Sequence, residues 1–294
     1  MTVGTAETRE AVIAKGISLV GEISTLPEVT VRIIEIVEDP RSTAKDLHEI
    51  IKNDPALSAK VLKVVNSAFY GLPGQVASVD RAIILLGLSA VKNIAIAASI
   101  ARLFKGGQLS DDFSAKDLWR HSVAVGVCAK LISRAGGTMA GGDEVFLAGL
   151  IHDLGLLVER QAFSKQLGEV IQRTKAGEGT FIEMENLVIG ADHQGFGEAL
   201  TTKWKFPRHL RATVGFHHNP DSLSKELRKL GYLVHAADII CCNEKIGFYL
   251  TAATEELTPQ LIEAAGITQE DVDAIRDQLA EEVTSAETTL AGDS

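Results

Sequence analysis

The sequence predicts an all-α protein, and three observations carry that prediction. Apolar residues recur at helical spacing in segment after segment. Helix breakers, chiefly Gly, Pro and Asp-Pro pairs, arrive roughly every 10–20 residues. The apolar/polar alternation of β-branched residues that marks strands is almost absent. No internal repeat is present, so a multi-helix array of two packed helical halves is expected rather than a long coiled coil.

The elements follow in order. Residues 1–24 hold one amphipathic helix, with Val12, Ile13, Ile17, Leu19 and Val20 apolar. Leu26-Pro27 ends it, and Glu28 to Glu38 forms a second helix closed by Asp39-Pro40. Thr43 with Asp46 is a capping-box pattern opening a short helix to Lys52. Asp54-Pro55 places Asp at the cap and Pro at the first helical position of the next. That helix stops at the Gly71/Pro73/Gly74 loop; Ser78 caps Val79 to Leu86, and a further helix runs from about Ser89 to Phe104. Gly106 to Ser110 is small and polar and reads as a boundary between halves.

The second half opens with a helix from about Ser114 to Ala135, followed by a Gly-rich, mobile loop from Gly136 to Gly142. Asp143 to Glu159 continues with Val145, Leu147, Ala148, Leu150 and Ile151 at near-helical spacing, runs into His152-Asp153 and is expected to close at Gly155. Helices are then expected at about Phe163–Lys175, Phe181–Ile189, His193–Trp204, Pro207–His217 and Ser224–Glu244. Two short helices joined at Gly266 and a disordered tail from Ser285 complete the chain. The expected division is 1–25 for the first helix, 26–108 for an N-terminal helical half, 109–250 for a second half and 251–294 for the C-terminal helices and tail.

Composition narrows the function classes. The chain has 294 residues, 46% hydrophobic, with a formal net charge of −10 and its Lys and Arg scattered. Nucleic-acid and membrane-surface partners want a basic face, so neither is expected. Cys128, Cys241 and Cys242 include an adjacent pair, which suggests no disulfide framework and fits a reducing compartment. Neither an N-terminal apolar leader nor an uncharged run of about 18 apolar residues is found, so a cytoplasmic location is expected.

The histidines carry the chemistry. His48 lies in the first half; His121, His152, His193, His209, His217, His218 and His235 lie in the second. A helical His121, then His152-Asp153 at a helix end, then a late Asp238 is a set one divalent ion can use. His193 with the His217-His218 pair could carry a second, and Asp153 is the best candidate for a carboxylate between the two. Imidazole with carboxylate suits Fe, Mn, Zn or Ni, one or two ions. His48 and His209 read as ordinary core or surface histidines, His235 as either that or a support for Asp238, and the three cysteines as small core residues.

The stretches NDPALSAKVLKVVNSAFYG from Asn53, VDRAIILLGLSAVKNIAIA from Val79 and GADHQGFGEALTTKWKFPRHLRATVGFHHNP from Gly190, followed by VHAADII, resemble the HDOD family, the HD-related output domain. The resemblance covers about Leu26 to Cys242. It implies an all-α bacterial signalling protein related to HD and HD-GYP metal phosphohydrolases. It further implies that His121, His152, Asp153 and Asp238 match the H…HD…D ligands, and that His193, His217 and His218 match ligands for further metals. The chain departs from the HD-GYP pattern at Leu156, where a Lys is expected, at Asn219, where an acid is expected, and in lacking the GYP segment. Lys203, Arg208 and Arg211 are the nearby cations, best read as solvated. The leading expectation is therefore a regulatory module that keeps its metal site and acts through a protein partner or a nucleotide or phosphate ligand. The alternatives are a metal-dependent phosphohydrolase or phosphodiesterase on a nucleotide or cyclic dinucleotide, and a scaffold stapled by one metal.

Overall fold

The computed structural model describes residues 7–21, 26–38, 41–67, 70–104, 106–137 and 141–291. Among them no β-strand forms, and a lone bridge joins Gln108 to Ser114. The helices are α1 (Arg9–Leu19), α2 (Glu28–Glu38), α3 (Ala44–Lys52), α4 (Pro55–Val65), α5 (Val79–Leu86), α6 (Leu88–Ile100), α7 (Ala115–Ala135) and α8 (Gly142–Ile151). They continue with α9 (Leu154–Ala162), α10 (Ser164–Lys175), α11 (Phe181–Val188), α12 (His193–Lys203), α13 (Arg208–Phe216), α14 (Lys225–Asn243), α15 (Pro259–Ala265) and α16 (Gln269–Ala291). None is long and apolar enough to cross a membrane.

Local chemistry sets the starts. Thr43 with Asp46, Ser114 with Asp117 and Thr180 with Glu183 each make a two-way capping box, satisfying amides that a bare helix end would leave unpaired. Asp54, Ser78, Asp192 and Thr258 cap their helices singly.

The hub is α7. It packs on α8, α14 and α16, and is buried around most of its circumference from Leu118 to Ser133. The α7–α8 approach is backbone on backbone: a Cβ on Gly149 would stand 2.8 Å from the Gly126 Cα. The first-half helices α2 and α4 pack on α6, and α6 docks on α8. The core thus runs continuously from the first half into the second.

Several expectations change. Gly155 does not close a helix: the chain breaks at His152-Asp153 and resumes as α9, which contains Gly155. The second C-terminal helix is long, not short, because Val272, Ile275, Leu279, Val283, Ala286 and Leu290 make one buried stripe on a 23-residue helix. It packs on α7 and α4, so the expected disordered tail is helical as far as Ala291, and residues 292–294 lie outside the described residues. The first helix spans only Arg9–Leu19, with 1–6 and 22–25 outside the description. Gly142 already belongs to α8, while 138–140 of the expected mobile loop are likewise outside. The expected Ser89–Phe104 helix ends at Ile100 and finishes as a 3-10 turn, Ala101–Phe104.

Candidate metal centre

Six helices supply the seven predicted ligands, within them or at their ends, and all seven meet in one pocket. His121 lies on the buried hub helix α7. His152 caps the C-terminal end of α8 and Asp153 caps the start of α9, with a dihedral break at Asp153 (φ −97°, ψ 19°) between the two helices. That break lets neighbouring residues face one point, which adjacent positions in a continuous helix cannot do. His193 opens α12, His217 caps the C-terminal end of α13 with His218 directly after it, and Asp238 sits on α14. Gly155 explains how α9 and α12 come so near: a Cβ there would stand 1.8 Å from the His193 carbonyl oxygen.

The seven sort into two clusters around Asp153. On one side His121 Nε2 is 3.1 Å from Asp238 Oδ1 and 3.7 Å from Asp153 Oδ2, while His152 Nε2 is 3.2 Å from Asp153 Oδ2 and 3.8 Å from Asp238 Oδ1. On the other side His193 Nε2 and His217 Nε2 lie 3.5 and 3.6 Å from Asp153 Oδ1. His193 Nε2 lies 3.3 Å from His217 Nε2 and 3.1 Å from His218 Nε2. Each oxygen of Asp153 faces a different cluster.

The opposite edge of every ring is tied down. Nδ1 of His121, His152 and His217 faces the carbonyl oxygens of Ile246, Gly149 and Val214 at 3.3, 2.6 and 2.9 Å. Nδ1 of His193 faces both oxygens of Glu185 at 2.8 and 2.9 Å, and that of His218 faces Glu255 at 2.8 Å. A ring that donates through Nδ1 presents a lone pair at Nε2, the state a metal needs.

A cation fits this pocket. His121 Nε2, His152 Nε2, both oxygens of Asp153 and Asp238 Oδ2 are buried with no hydrogen-bond partner. Five such atoms aimed at common points would each cost free energy unless an ion satisfied them. Two imidazoles and two carboxylates on one side, and three imidazoles and a carboxylate on the other, suit borderline divalent ions.

Charge in the pocket agrees. Burial alone would raise the Asp153 pKa, but His152, His217 and His193 outweigh it and hold the carboxyl well below its usual range. Burial also opposes ionisation of Asp238, yet His121, His152 and His218 bring it below the usual value. His217 and His218 are lowered to about 3 by burial, reinforced at His217 by the His218 charge and at His218 by the His193 charge, so both are neutral near pH 7. His152 is raised: Asp153 outweighs the burial.

The remaining predicted residues lie elsewhere. His48 pairs with Asp80 and His209 with Glu144, each at 2.7 Å. His235 Nε2 lies 3.4 Å from Glu255, placing it beside the pocket at its more exposed edge. Leu156 is fully buried, and Cys128, Cys241 and Cys242 are free and buried.

Sequence reasoning missed four supporting residues. Glu185 and Glu255 hold His193 and His218. Buried Glu159 stands next to Glu185: burial, then the Glu185 charge, push its pKa well up, and burial pushes Glu185 up as well. Asp192 caps the His193 helix and is gripped by Arg9 of α1 at 2.9 Å. Glu185 was legible, since it falls with Phe181 and Met184 on the buried face of α11.

Fold and pocket together define an all-α protein of the His-Asp motif class. The family model for the HDOD domain matches residues 23–220, and the chain belongs to that family. Asp238 lies beyond the matched span. The fold is shared with an HDOD domain protein of unknown function from Geobacter sulfurreducens at TM-score 0.80, 24% identity, with 97% of this chain and 99% of that one covered. It is shared too with a chain from Shewanella amazonensis provisionally named a phosphohydrolase, at TM-score 0.72 and 24% identity, covering 96% and 98%. An uncharacterised protein of Treponema pallidum is 26% identical over 216 residues, 72% of this chain. The chain spans 41% of the length of that curated relative.

Proposed function

We infer that this HDOD protein is a regulatory module whose fold is read out through a two-ion centre. His121, His152, Asp153 and Asp238 would hold one ion, and His193, His217, His218 and Asp153 the other. Bound there, such ions act as Lewis acids and lower the pKa of a coordinated water. The residues themselves close the site. Apart from each other, the seven side chains pair, among the described residues, with Glu185, Glu255, the Cys242 thiol and the carbonyls of Gly149, Val214 and Ile246, and with no Lys or Arg. Leu156 fills, without charge, the position where HD-GYP relatives carry a Lys. A phosphoryl group entering this pocket would therefore meet no balancing side-chain cation. This closed ligand set without a phosphate-handling cation is the observation that carries the reading.

Because the ligands come from α7, α8, α9, α12, α13 and α14, occupancy fixes these helices relative to one another. An empty centre leaves buried like and unlike charges to be relieved by movement, so loaded and empty forms present different surfaces to a protein partner. The phosphohydrolase alternative is favoured by one observation, the Asp153 carboxylate with an oxygen toward each cluster, as two-ion hydrolases use.

One experiment separates the two. Metal-loaded protein is assayed on bis(p-nitrophenyl) phosphate and on cyclic dinucleotides. The regulatory reading expects bound ions with turnover no higher than that of His152→Ala. Turnover abolished in His152→Ala and Asp153→Ala but kept in His209→Ala would establish the enzyme instead.

A further inference from the structure

A second cavity, of about 400 Å³, lies away from the metal centre where the two halves of the chain meet. Its walls come from α4, the 3-10 turn Ala101–Phe104, the first turns of α7 and the last helix, α16. That volume is the size of ordinary small-molecule sites, which favour such junctions.

Its chemistry is specific. Lys60, Arg102 and Lys116 line it from three different elements. None of the three has an ion-pair partner among the described residues, whereas Arg9, Lys130, Arg173, Lys175 and Arg276 each find an acid. One acid, Glu287, shares the lining, so the cavity is net positive in a chain of formal charge −10. The apolar part is aromatic: Phe104 and Trp119 pack with ring centroids 5.1 Å apart and both contribute to the wall.

The cavity is also tied to the helices that carry the metal ligands. Trp119 and Lys116 lie on α7, within a turn and a half of His121. The rim at Gly106 and Gly107 has left-handed backbone (φ 69° and 88°) and is held by Arg160 of α9, which donates to the Gly106 carbonyl at 2.6 Å. Asp153 caps that same helix.

We propose that this cavity binds a small organic anion with a flat aromatic body, the ring lying against Phe104 and Trp119 and the anionic group among Lys60, Arg102 and Lys116. Cation and aromatic wall together select this ligand class over inorganic phosphate, which would leave the rings unused, and over neutral aromatics, which would leave the cations unused. The anionic group could be the phosphate of a nucleotide or the sulfonate or carboxylate of another aromatic. The proposal stands independently of the metal centre, since its readout requires no ion there.

The test uses the two-tryptophan count of the chain. Trp204→Phe leaves Trp119 as sole emitter, and its quenching is followed on titration with AMP and, separately, with 8-anilinonaphthalene-1-sulfonate. Calorimetry on the unmodified chain repeats both titrations should Trp204→Phe fail to fold. Saturable binding of either probe, weakened about tenfold or more by Arg102→Glu and by Lys116→Glu but not by Lys203→Glu, is the expected result. AMP alone binding in this way assigns a nucleotide, and the sulfonate alone assigns a non-nucleotide aromatic anion. No saturable binding of either probe, or binding indifferent to both charge reversals, overturns the proposal; the second outcome would mean adsorption to apolar surface or entry at the metal centre.

Discussion

Glu185 grips the Nδ1 edge of His193 with both carboxylate oxygens, at 2.8 and 2.9 Å, in a fully buried setting. The same carboxylate accepts from the His193 backbone amide at 3.2 Å. One side chain thus fixes both the ring and the helix end that presents it. Glu185→Ala should weaken the second ion by about 10–100-fold while sparing the first, because supporting carboxylates of metal-bound imidazoles have effects of that size. Equilibrium dialysis against a competing chelator would register one weakened site. Equal weakening of both sites, or of neither, would contradict the division into two clusters.

Gly155 supplies the next prediction. With the His193 carbonyl 1.8 Å from a would-be Cβ, Gly155→Ala cannot be accommodated by a rotamer change, since the obstacle is backbone. The helices α9 and α12 must part, drawing Asp153 and His193 away from each other. A loss of about 2–3 kcal/mol in unfolding free energy is expected, at the upper end for overpacking. Denaturant titration checks it, with Gly168→Ala as control, where the added methyl meets nothing.

The N-terminal helix acts on the centre through Asp192, which caps α12 by accepting from the Gly195 amide and also takes Arg9. Asp192→Ala should cost about 1 kcal/mol through the lost cap. Arg9→Ala should cost less, under about 1 kcal/mol, because that guanidinium is half exposed and screened. Thermal melts should rank the variants in that order; the reverse ranking would mean that α1 matters through packing instead.

Glu159 sets a pH dependence. Burial and then the Glu185 charge hold its folded pKa well above the usual value, so its native proton contributes stability below the unfolded pKa. That contribution is lost as pH rises from about 4.5 through the raised folded value. Glu159→Gln keeps the shape and removes the titration. In metal-free protein the variant should gain on the wild type by roughly 1 kcal/mol or more, a few degrees in melting temperature, between pH 5 and pH 8. A difference independent of pH would show that Glu159 is ionised in the folded chain.

How much of this was legible depended on what each feature needs. The helices were, because caps such as Asp54, Thr43 and Ser78 and the apolar stripes are local. The seven ligand candidates were too, since buried His and Asp are unusual on apolar helices. The role of Gly155 was not: as a helix stop it is a local guess, while its contact with His193 joins residues 38 apart along the chain. Glu255 and Arg9 escaped for the same reason: each acquires its partner, His218 or Asp192, only through folding, from a position far away along the chain. The length of α16 was misjudged because its stripe is diluted by acidic residues that face solvent.

The account rests on one carboxylate serving two clusters, and counting metal tests that most directly. Protein prepared without a polyhistidine tag is measured by inductively coupled plasma mass spectrometry beside Asp153→Ala and His193→Ala. About two divalent ions per chain are expected in the unmodified protein, about one in His193→Ala and almost none in Asp153→Ala. An unmodified chain that binds no metal, or an Asp153→Ala variant that keeps its full complement, would contradict it.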